Sequence, residues 1–276
     1  MTAAGVDCHA HIIDPKRFPV PPGRGYKPTP QETGTREEFA AVLDAHGIGR
    51  GLLVQLSGYG TDNRALLDAI AAYPGRFKAI AVIDPSITDR ALEDLTRGGV
   101  VGVRFNLPSY DPEALVRQDA PKLLARIRSL GWFAQVYADD AQWHAAAPVL
   151  RASNVNVIVD HLGVRDPTPG TSQKGFQEML SLGRDGRAIV KLSGIYRISR
   201  QKSEFTDLDP FVERLIAAFG IDRCVWGSDW PFINTALRPS YADLLAPLRR
   251  WLPNAADRAK VLADNPWRLF QFEDVP

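Results

Sequence analysis

Two histidines stand two residues apart in the first apolar run of the chain, "VDCHAHI" (6–12). In a β-strand, alternate side chains point to the same face, so His9 and His11 would project together. A pair of imidazoles can bind a metal ion or take part in acid–base chemistry at a carbonyl group. The spacing therefore marks the end of this run as a candidate catalytic site.

Polar side chains also end four later apolar runs. These side chains are Arg104 and Asn106, Gln135 and Tyr137, Asp160 and His161, and Asp229. A carboxylate can take a proton from water, and a guanidinium can bind a substrate carboxylate through two hydrogen bonds. These residue types suit acid–base chemistry and the binding of an anionic group.

Eight β-rich runs position these side chains. The runs are 5–12, 51–56, 78–84, 100–106, 132–138, 156–162, 188–194 and 224–230. Helical patterns separate them, at 36–47, at 62–72 and before the fifth run, where Leu123, Leu124, Ile127 and Leu130 share one face. Eight strand–helix alternations favour one α/β domain over 1–276, a (β/α)8 barrel, whose active site lies at the carboxyl ends of the strands.

The composition excludes several classes of protein. Lys and Arg (33) nearly balance Asp and Glu (32), so no field of one sign would attract nucleic acid or an anionic membrane. We expect a cytoplasmic protein, because no apolar stretch reaches a membrane span of about 18 residues and no signal segment precedes the first run. Cys8 and Cys224 are far apart and should be reduced thiols.

One connection is too long for an ordinary turn between a strand and a helix. Residues 14–35, "DPKRFPVPPGRGYKPTPQETGT", are rich in proline and glycine. Loops of this length inside a compact barrel are usually functional. We therefore expect this segment to be a lid over the active site.

The chain resembles a known family through an ordered set of motifs. They are "HAHIIDPKRFPVPPGRGYKPTP", "YGTDNRALLDAI", "GVRFN", "AQVYAD", "VDHLG" and "GSDWP". The set is similar to the amidohydrolase superfamily, and within it to the branch of 2-pyrone-4,6-dicarboxylate hydrolases and sugar lactonases. The resemblance implies a hydrolase that opens a small carboxylated lactone or pyrone and needs no divalent metal.

The resemblance also implies roles for individual residues. Asp229 would be the general base that deprotonates water, while His9, His11 and His161 would polarise the lactone carbonyl. The positions that match substrate-binding residues of the branch are Arg104, Arg197, Tyr26 and Tyr137.

The chain departs from the metal ligands that are usual in the superfamily. Its fourth run has no Lys or Glu, and its fifth run has no His. His9, His11 and Asp229 could still supply three ligands to one zinc ion, but the cationic Arg104 nearby would disfavour another cation. We therefore expect no cofactor, with one divalent metal, zinc, as the alternative.

A second departure concerns the substrate. The branch carries another basic residue shortly after "RFN", whereas this chain continues "RFNLPSYDP". The sequence therefore favours a lactone with one carboxylate, or with hydroxyls that Ser109 and Tyr110 bind, unless Arg200 or Lys27 supplies the missing charge. Two other functions stay open: a zinc-dependent amidohydrolase or decarboxylase of the same superfamily, and a non-catalytic barrel that binds a carboxylate ligand.

Overall fold

Eight parallel strands in sequential order form the centre of the molecule. The computed structural model describes residues 4–21 and 28–273. The strands are Gly5–Ala10 (β1), Ile48–Val54 (β2), Phe77–Ala81 (β3), Val100–Asn106 (β4), Phe133–Tyr137 (β5), Asn156–Val159 (β6), Ala188–Leu192 (β7) and Cys224–Trp226 (β8). The sheet curls back on itself after β8, where Asp229 N donates to His9 O and His11 N donates to Trp230 O, each at 2.8 Å. The predicted (β/α)8 barrel is confirmed.

Helices surround the barrel and connect its strands. Those in the described residues are Arg36–Ala45 (α1), Arg64–Ala72 (α2), Asp89–Arg97 (α3), Ala120–Ser129 (α4), Asp140–Ser153 (α5), Lys174–Arg184 (α6), Ile195–Ile198 (α7), Asp209–Phe219 (α8), Tyr241–Leu245 (α9), Pro247–Trp251 (α10), Ala255–Ala259 (α11) and Asn265–Phe270 (α12). A π-helical turn, Lys260–Asp264, joins the last two.

The core has two parts because each strand buries both of its faces. Inside the barrel lie Val6, Leu52, Val54, Ile80 and Ile158. A larger core fills the space between the sheet and the helices, and it includes the predicted face of α4 with Leu123, Leu124 and Ile127. Both parts exclude water from the end of the barrel opposite the carboxyl ends of the strands. The mouth at the carboxyl ends is therefore the place for chemistry.

Seven of the eight predicted strands continue beyond the observed ones at their carboxyl ends. The runs 5–12, 51–56, 78–84, 156–162, 188–194 and 224–230 are two to four residues too long there, and the run 132–138 is one residue too long. The overhang of three of them holds a predicted catalytic residue: His11, His161 or Asp229. These side chains lie on the turns that leave the barrel rather than within the strand ladders.

The ends of the segment 14–35 are fixed to each other. Ile13 N donates to Gly34 O at 2.8 Å, and Gly34 N donates to Ile13 O at 2.9 Å. The middle of the segment, including the predicted substrate-binding residue Tyr26 and the alternative Lys27, lies outside the described residues. Its function as a lid stays a prediction.

The structure bears on two expectations drawn from composition. None of the helices in ranges 4–21 and 28–273 is both long and apolar enough to cross a membrane. Cys8 and Cys224 are buried free thiols, as predicted.

Candidate active site

A cavity of about 690 Å³ opens at the carboxyl ends of the strands, where the sequence predicts the active site. Its wall includes six of the predicted site residues: His11, Arg104, Tyr137, His161, Arg197 and Asp229. The predicted catalytic residue His9 is fully buried and lies behind this wall. His9 would therefore act through Asp229 rather than on substrate.

Three imidazoles converge on one carboxylate oxygen. Asp229 Oδ1 lies 3.6 Å from His9 Nε2, 3.5 Å from His11 Nε2 and 3.8 Å from His161 Nε2. All four side chains are buried. The structure thus brings together the residues that the sequence grouped only by their positions at strand ends.

Two of these residues lie on turns with left-handed backbone. The φ angle is 63° at Asp229 and 50° at His161, a conformation that costs energy in most residues and often occurs at functional sites. Gly194 makes room for His161, because a Cβ atom at this glycine would lie 2.5 Å from His161 Nδ1. The chain therefore uses two strained turns and one glycine to aim these side chains into the cavity.

The second oxygen of Asp229 is bound by two donors from α7. The Tyr196 hydroxyl donates to Oδ2 at 2.7 Å, and Arg197 Nε donates to the same atom at 2.8 Å. Arg197 Nη2 also donates to Ile233 O at 3.1 Å. Arg197 therefore holds the carboxylate in place, which leaves only part of its guanidinium for the predicted binding of substrate.

Burial and these contacts set the protonation states. Burial alone would raise the pKa of Asp229, but Arg197 and the imidazoles hold it well below its usual range. Burial lowers the pKa of His161 to about 4 and also lowers the pKa values of His9 and His11. At neutral pH Asp229 is therefore a carboxylate surrounded by three neutral imidazoles.

The hydrogen-bond partner of Nδ1 determines whether Nε2 of the same imidazole is a donor or an acceptor. His11 Nδ1 lies 2.7 Å from Val54 O, and a carbonyl only accepts, so the proton of His11 is on Nδ1. Its Nε2 is then an acceptor, which is at odds with polarisation of a carbonyl by His11. His161 Nδ1 lies 3.0 Å from Ser193 Oγ, a hydroxyl that can donate, so His161 can present Nε2–H to the cavity.

A buried network below the cavity was not predicted. Lys191 in β7 is fully buried; its Nζ donates to Gln135 Oε1 at 2.6 Å and lies 3.3 Å from His9 Nδ1. Gln135 Nε2 in turn donates to Asp160 Oδ2 at 2.8 Å. The available signal was a lysine inside the apolar run "AIVKLSG", since a buried lysine needs a partner.

Guanidinium groups line the outer part of the cavity. Arg104 is buried and donates from Nη1 to Gln55 O at 2.8 Å. Arg165, on the turn after β6, also lines the cavity, and its guanidinium lies 5.6 Å from the centre of the Tyr137 ring. The sequence did not single out Arg165, because an arginine in "GVRDP" has the pattern of a solvated loop charge. The alternative Arg200 is exposed and, among the described residues, is not part of this wall.

The donor atoms of the site are of kinds that bind zinc. One ligand atom from each of His9, His11 and Asp229 lies within 4.8 Å of the others, and the same holds for His9, Asp160 and His161. His9 Nε2 and Asp229 Oδ1 have no hydrogen-bond partner within the described ranges. The charges nearby oppose a divalent ion, because the three cations Arg104, Lys191 and Arg197 already outnumber the two carboxylates.

The chain is similar to known proteins over most of its length. A family model described as "Amidohydrolase" matches residues 6–272. The 2-pyrone-4,6-dicarboxylate hydrolase of Comamonas testosteroni is 29% identical, with 100% of this chain and 92% of that protein covered. The 4-sulfomuconolactone hydrolase of Hydrogenophaga intermedia is 32% identical over 96% of this chain and 88% of that one.

A solved structure is similar over nearly the whole length. It is an Acinetobacter baumannii protein described as a probable 2-pyrone-4,6-dicarboxylic acid hydrolase, with citric acid bound. The two chains are 30% identical and superpose with a TM-score of 0.86, covering 99% of this chain and 100% of the other.

Proposed function

Because the chain belongs to the amidohydrolase family, we propose that it hydrolyses a small anionic lactone or pyrone at the site around Asp229. One observation carries this proposal: Asp229 and His11 both line the cavity, Asp229 Oδ1 has no hydrogen-bond partner among the described residues, and a second acceptor, His11 Nε2, lies 3.5 Å from it. Two acceptors this close suit a water molecule that donates one proton to each. The similarity to two lactone-opening enzymes supports the same chemistry.

The hydrolytic step follows from these positions. Asp229 Oδ1 takes a proton as the water oxygen bonds to the lactone carbonyl carbon, and His11 Nε2 holds the other proton of the water. The carbonyl oxygen gains negative charge, which His161 Nε2–H and Arg104 can stabilise from the cavity wall. The ring C–O bond then breaks, and the proton returns to the departing oxygen.

Arg197 connects substrate binding to the strength of the base. A carboxylate held by Arg197 and Tyr196 is a weak base, because both donors stabilise its ionised form. A substrate carboxylate that binds the remaining face of Arg197 would share its positive charge. Asp229 then becomes a stronger base when substrate is present.

The cavity favours a substrate with two acidic groups. Three guanidiniums line it, from Arg104, Arg165 and Arg197, and arginine pairs bidentately with carboxylates. Arg165 supplies the second cation that the sequence lacks after "RFN". We therefore favour a dianionic lactone such as 2-pyrone-4,6-dicarboxylate over the monocarboxylate that the sequence alone suggests, with Ser109 and Tyr110 in the same wall for other polar groups.

A zinc-dependent hydrolase is the second candidate. The atoms that favour it are His9 Nε2 and Asp229 Oδ1, which are buried and have no hydrogen-bond partner in the part of the chain that the structure describes. His9, His11 and Asp229 would hold the ion, which would supply a Lewis acid for the carbonyl or for water. Stoichiometric zinc in the purified protein, with activity that chelation abolishes and zinc restores, would favour this candidate.

The proposal is tested by turnover of 2-pyrone-4,6-dicarboxylate, followed through loss of the ultraviolet absorbance of the pyrone. Asp229→Asn keeps the shape of the side chain but removes the base, so we expect kcat to fall about 10²–10⁴-fold with binding largely kept. Asp94→Asn, at an exposed position of α3, is the matched control and should keep full activity. Near-full activity of Asp229→Asn would refute the assignment, and binding without ring opening by the wild type would indicate a non-catalytic barrel.

A further inference from the structure

The ammonium of Lys191 lies close to three polar atoms deep in the barrel. Its Nζ lies 2.6 Å from Gln135 Oε1, 3.3 Å from His9 Nδ1 and 3.3 Å from Asp160 Oδ1. Burial would raise the pKa of Asp160, but the neighbouring cation of Lys191 holds it well below its usual range. An ammonium has three protons and no lone pair. His9 Nδ1 can therefore form a hydrogen bond with this ammonium only as the acceptor.

This requirement determines which nitrogen of His9 carries the proton. If the proton were on Nδ1, it would face the ammonium, and one buried proton of Lys191 would lose its acceptor. The only other acceptor close to His9 Nδ1 among the described residues is Asp160 Oδ1, at 3.3 Å. That oxygen is not aligned for a hydrogen bond with either His9 or Lys191. The geometry thus favours Nδ1 as an acceptor and Nε2 as the protonated nitrogen.

We propose that Lys191 is a positioning residue that keeps His9 in its Nε2–H tautomer, directs that proton towards Asp229, and so withdraws His9 as a ligand for a metal. The contribution to catalysis rests on the proposed function, whereas the tautomer does not. His9 Nε2 and Asp229 Oδ1, which have no hydrogen-bond partner within residues 4–21 and 28–273, are then a donor and an acceptor 3.6 Å apart.

A metal would require the opposite arrangement. A ligating imidazole offers a lone pair at one nitrogen and commonly donates from the other to a carboxylate. His9 would have to move its proton to Nδ1 and donate it to Asp160, which would displace Lys191 from its acceptor. The chain thus contains partners for both tautomers of His9, and the ammonium selects the one that cannot bind zinc through Nε2.

The first test uses the wild-type protein and no substrate. Nitrogen-15 NMR of protein labelled at its five histidines distinguishes protonated from unprotonated ring nitrogens, and His9→Gln assigns the His9 signals. We expect Nε2 of His9 to be protonated and Nδ1 to have the shift of an acceptor. A proton on Nδ1 would overturn the proposal.

The second test removes the ammonium. In Lys191→Met, the His9 proton should move to Nδ1, and the protein should bind one equivalent of zinc that the wild type does not, measured by equilibrium dialysis with metal analysis. Adding His9→Gln should abolish that binding. Lys122→Met, at an exposed position of α4, is the matched control and should behave as wild type.

Steady-state kinetics test the Lys191→Met variant independently of zinc binding. Because His9 lies behind the cavity wall, Lys191→Met should lower kcat about 10–100-fold, the usual effect of an outer-shell partner, while KM changes less. Retention of the Nε2–H tautomer without zinc binding in Lys191→Met would refute the role of Lys191. If this variant does not fold, the wild-type spectrum still decides. Absence of lactone turnover with the expected tautomer would refute only the proposed function.

Discussion

Replacing Arg197 with methionine removes the cation that contacts Asp229 directly. Arg197 Nη2 lies 2.7 Å from Asp229 Oδ2, and the carboxylate is fully buried while 19% of the arginine side chain is exposed. Loss of one partner of a buried ion pair typically costs about 3–5 kcal/mol. The Tyr196 hydroxyl still donates to the same oxygen, so we expect a loss of about 3 kcal/mol in the free energy of unfolding at pH 7.

The loss of stability in Arg197→Met should be smaller at acidic pH than at neutral pH. In the wild type the pKa of Asp229 is depressed, so its stabilising contribution is present above the ordinary pKa of about 3.9 and is lost as the pH falls further. Without Arg197, burial raises the pKa of Asp229, and the uncompensated charge is relieved when the carboxylate takes up a proton. The difference in stability between variant and wild type should therefore shrink between pH 7 and pH 4.5.

Urea unfolding followed by tryptophan fluorescence at both pH values measures this difference. Arg200→Met provides the matched control, because Arg200 is three residues away, exposed, and outside the described cavity wall. Two results would contradict this prediction. Arg197→Met could lose no more free energy of unfolding than the control, or it could lose the same amount at the two pH values.

Two further substitutions test the shape and the charge of the cavity. Gly194→Ala should displace His161 and lower kcat/KM about 100-fold, as misplacement by about 1 Å can do. Gly170→Ala is the control, because this glycine also has positive φ but no atom lies within 4 Å of the added Cβ, and kcat/KM should stay nearly unchanged. Equal effects of the two substitutions on kcat/KM would contradict the role of Gly194. Arg165→Met should raise KM for a dianionic lactone about tenfold, the equivalent of about 1.4 kcal/mol, with little change in kcat. If steady-state kinetics give the variant the same KM as the wild type, Arg165 does not bind a substrate carboxylate.

The sequence predicts the barrel and the centre of the site because both depend on local patterns. Alternating strand and helix signals place the carboxyl ends of the strands on one rim, and that geometry alone brings His11, His161 and Asp229 together. Strand ends were less predictable, since the residues that leave the ladders at His161 and Asp229 adopt left-handed backbone within apolar runs.

The unpredicted residues depend on contacts between distant parts of the chain. Lys191 contacts His9 across 182 positions, and the hydroxyl of Tyr196 reaches Asp229 across 33. Arg165 becomes part of the cavity only through the path of the loop after β6. The spacing of residues in the sequence does not predict such pairs, because neither residue of a pair belongs to a distinctive sequence pattern.

In the proposed function, Asp229 and its imidazoles open an anionic lactone without a divalent metal. The most direct measurement is hydrolysis of 2-pyrone-4,6-dicarboxylate by wild-type enzyme that has been dialysed against a chelator and analysed for residual metal. We predict that turnover persists at its full rate and that added zinc does not increase it. Loss of turnover that zinc restores, or no turnover by the folded protein in either condition, would contradict the account.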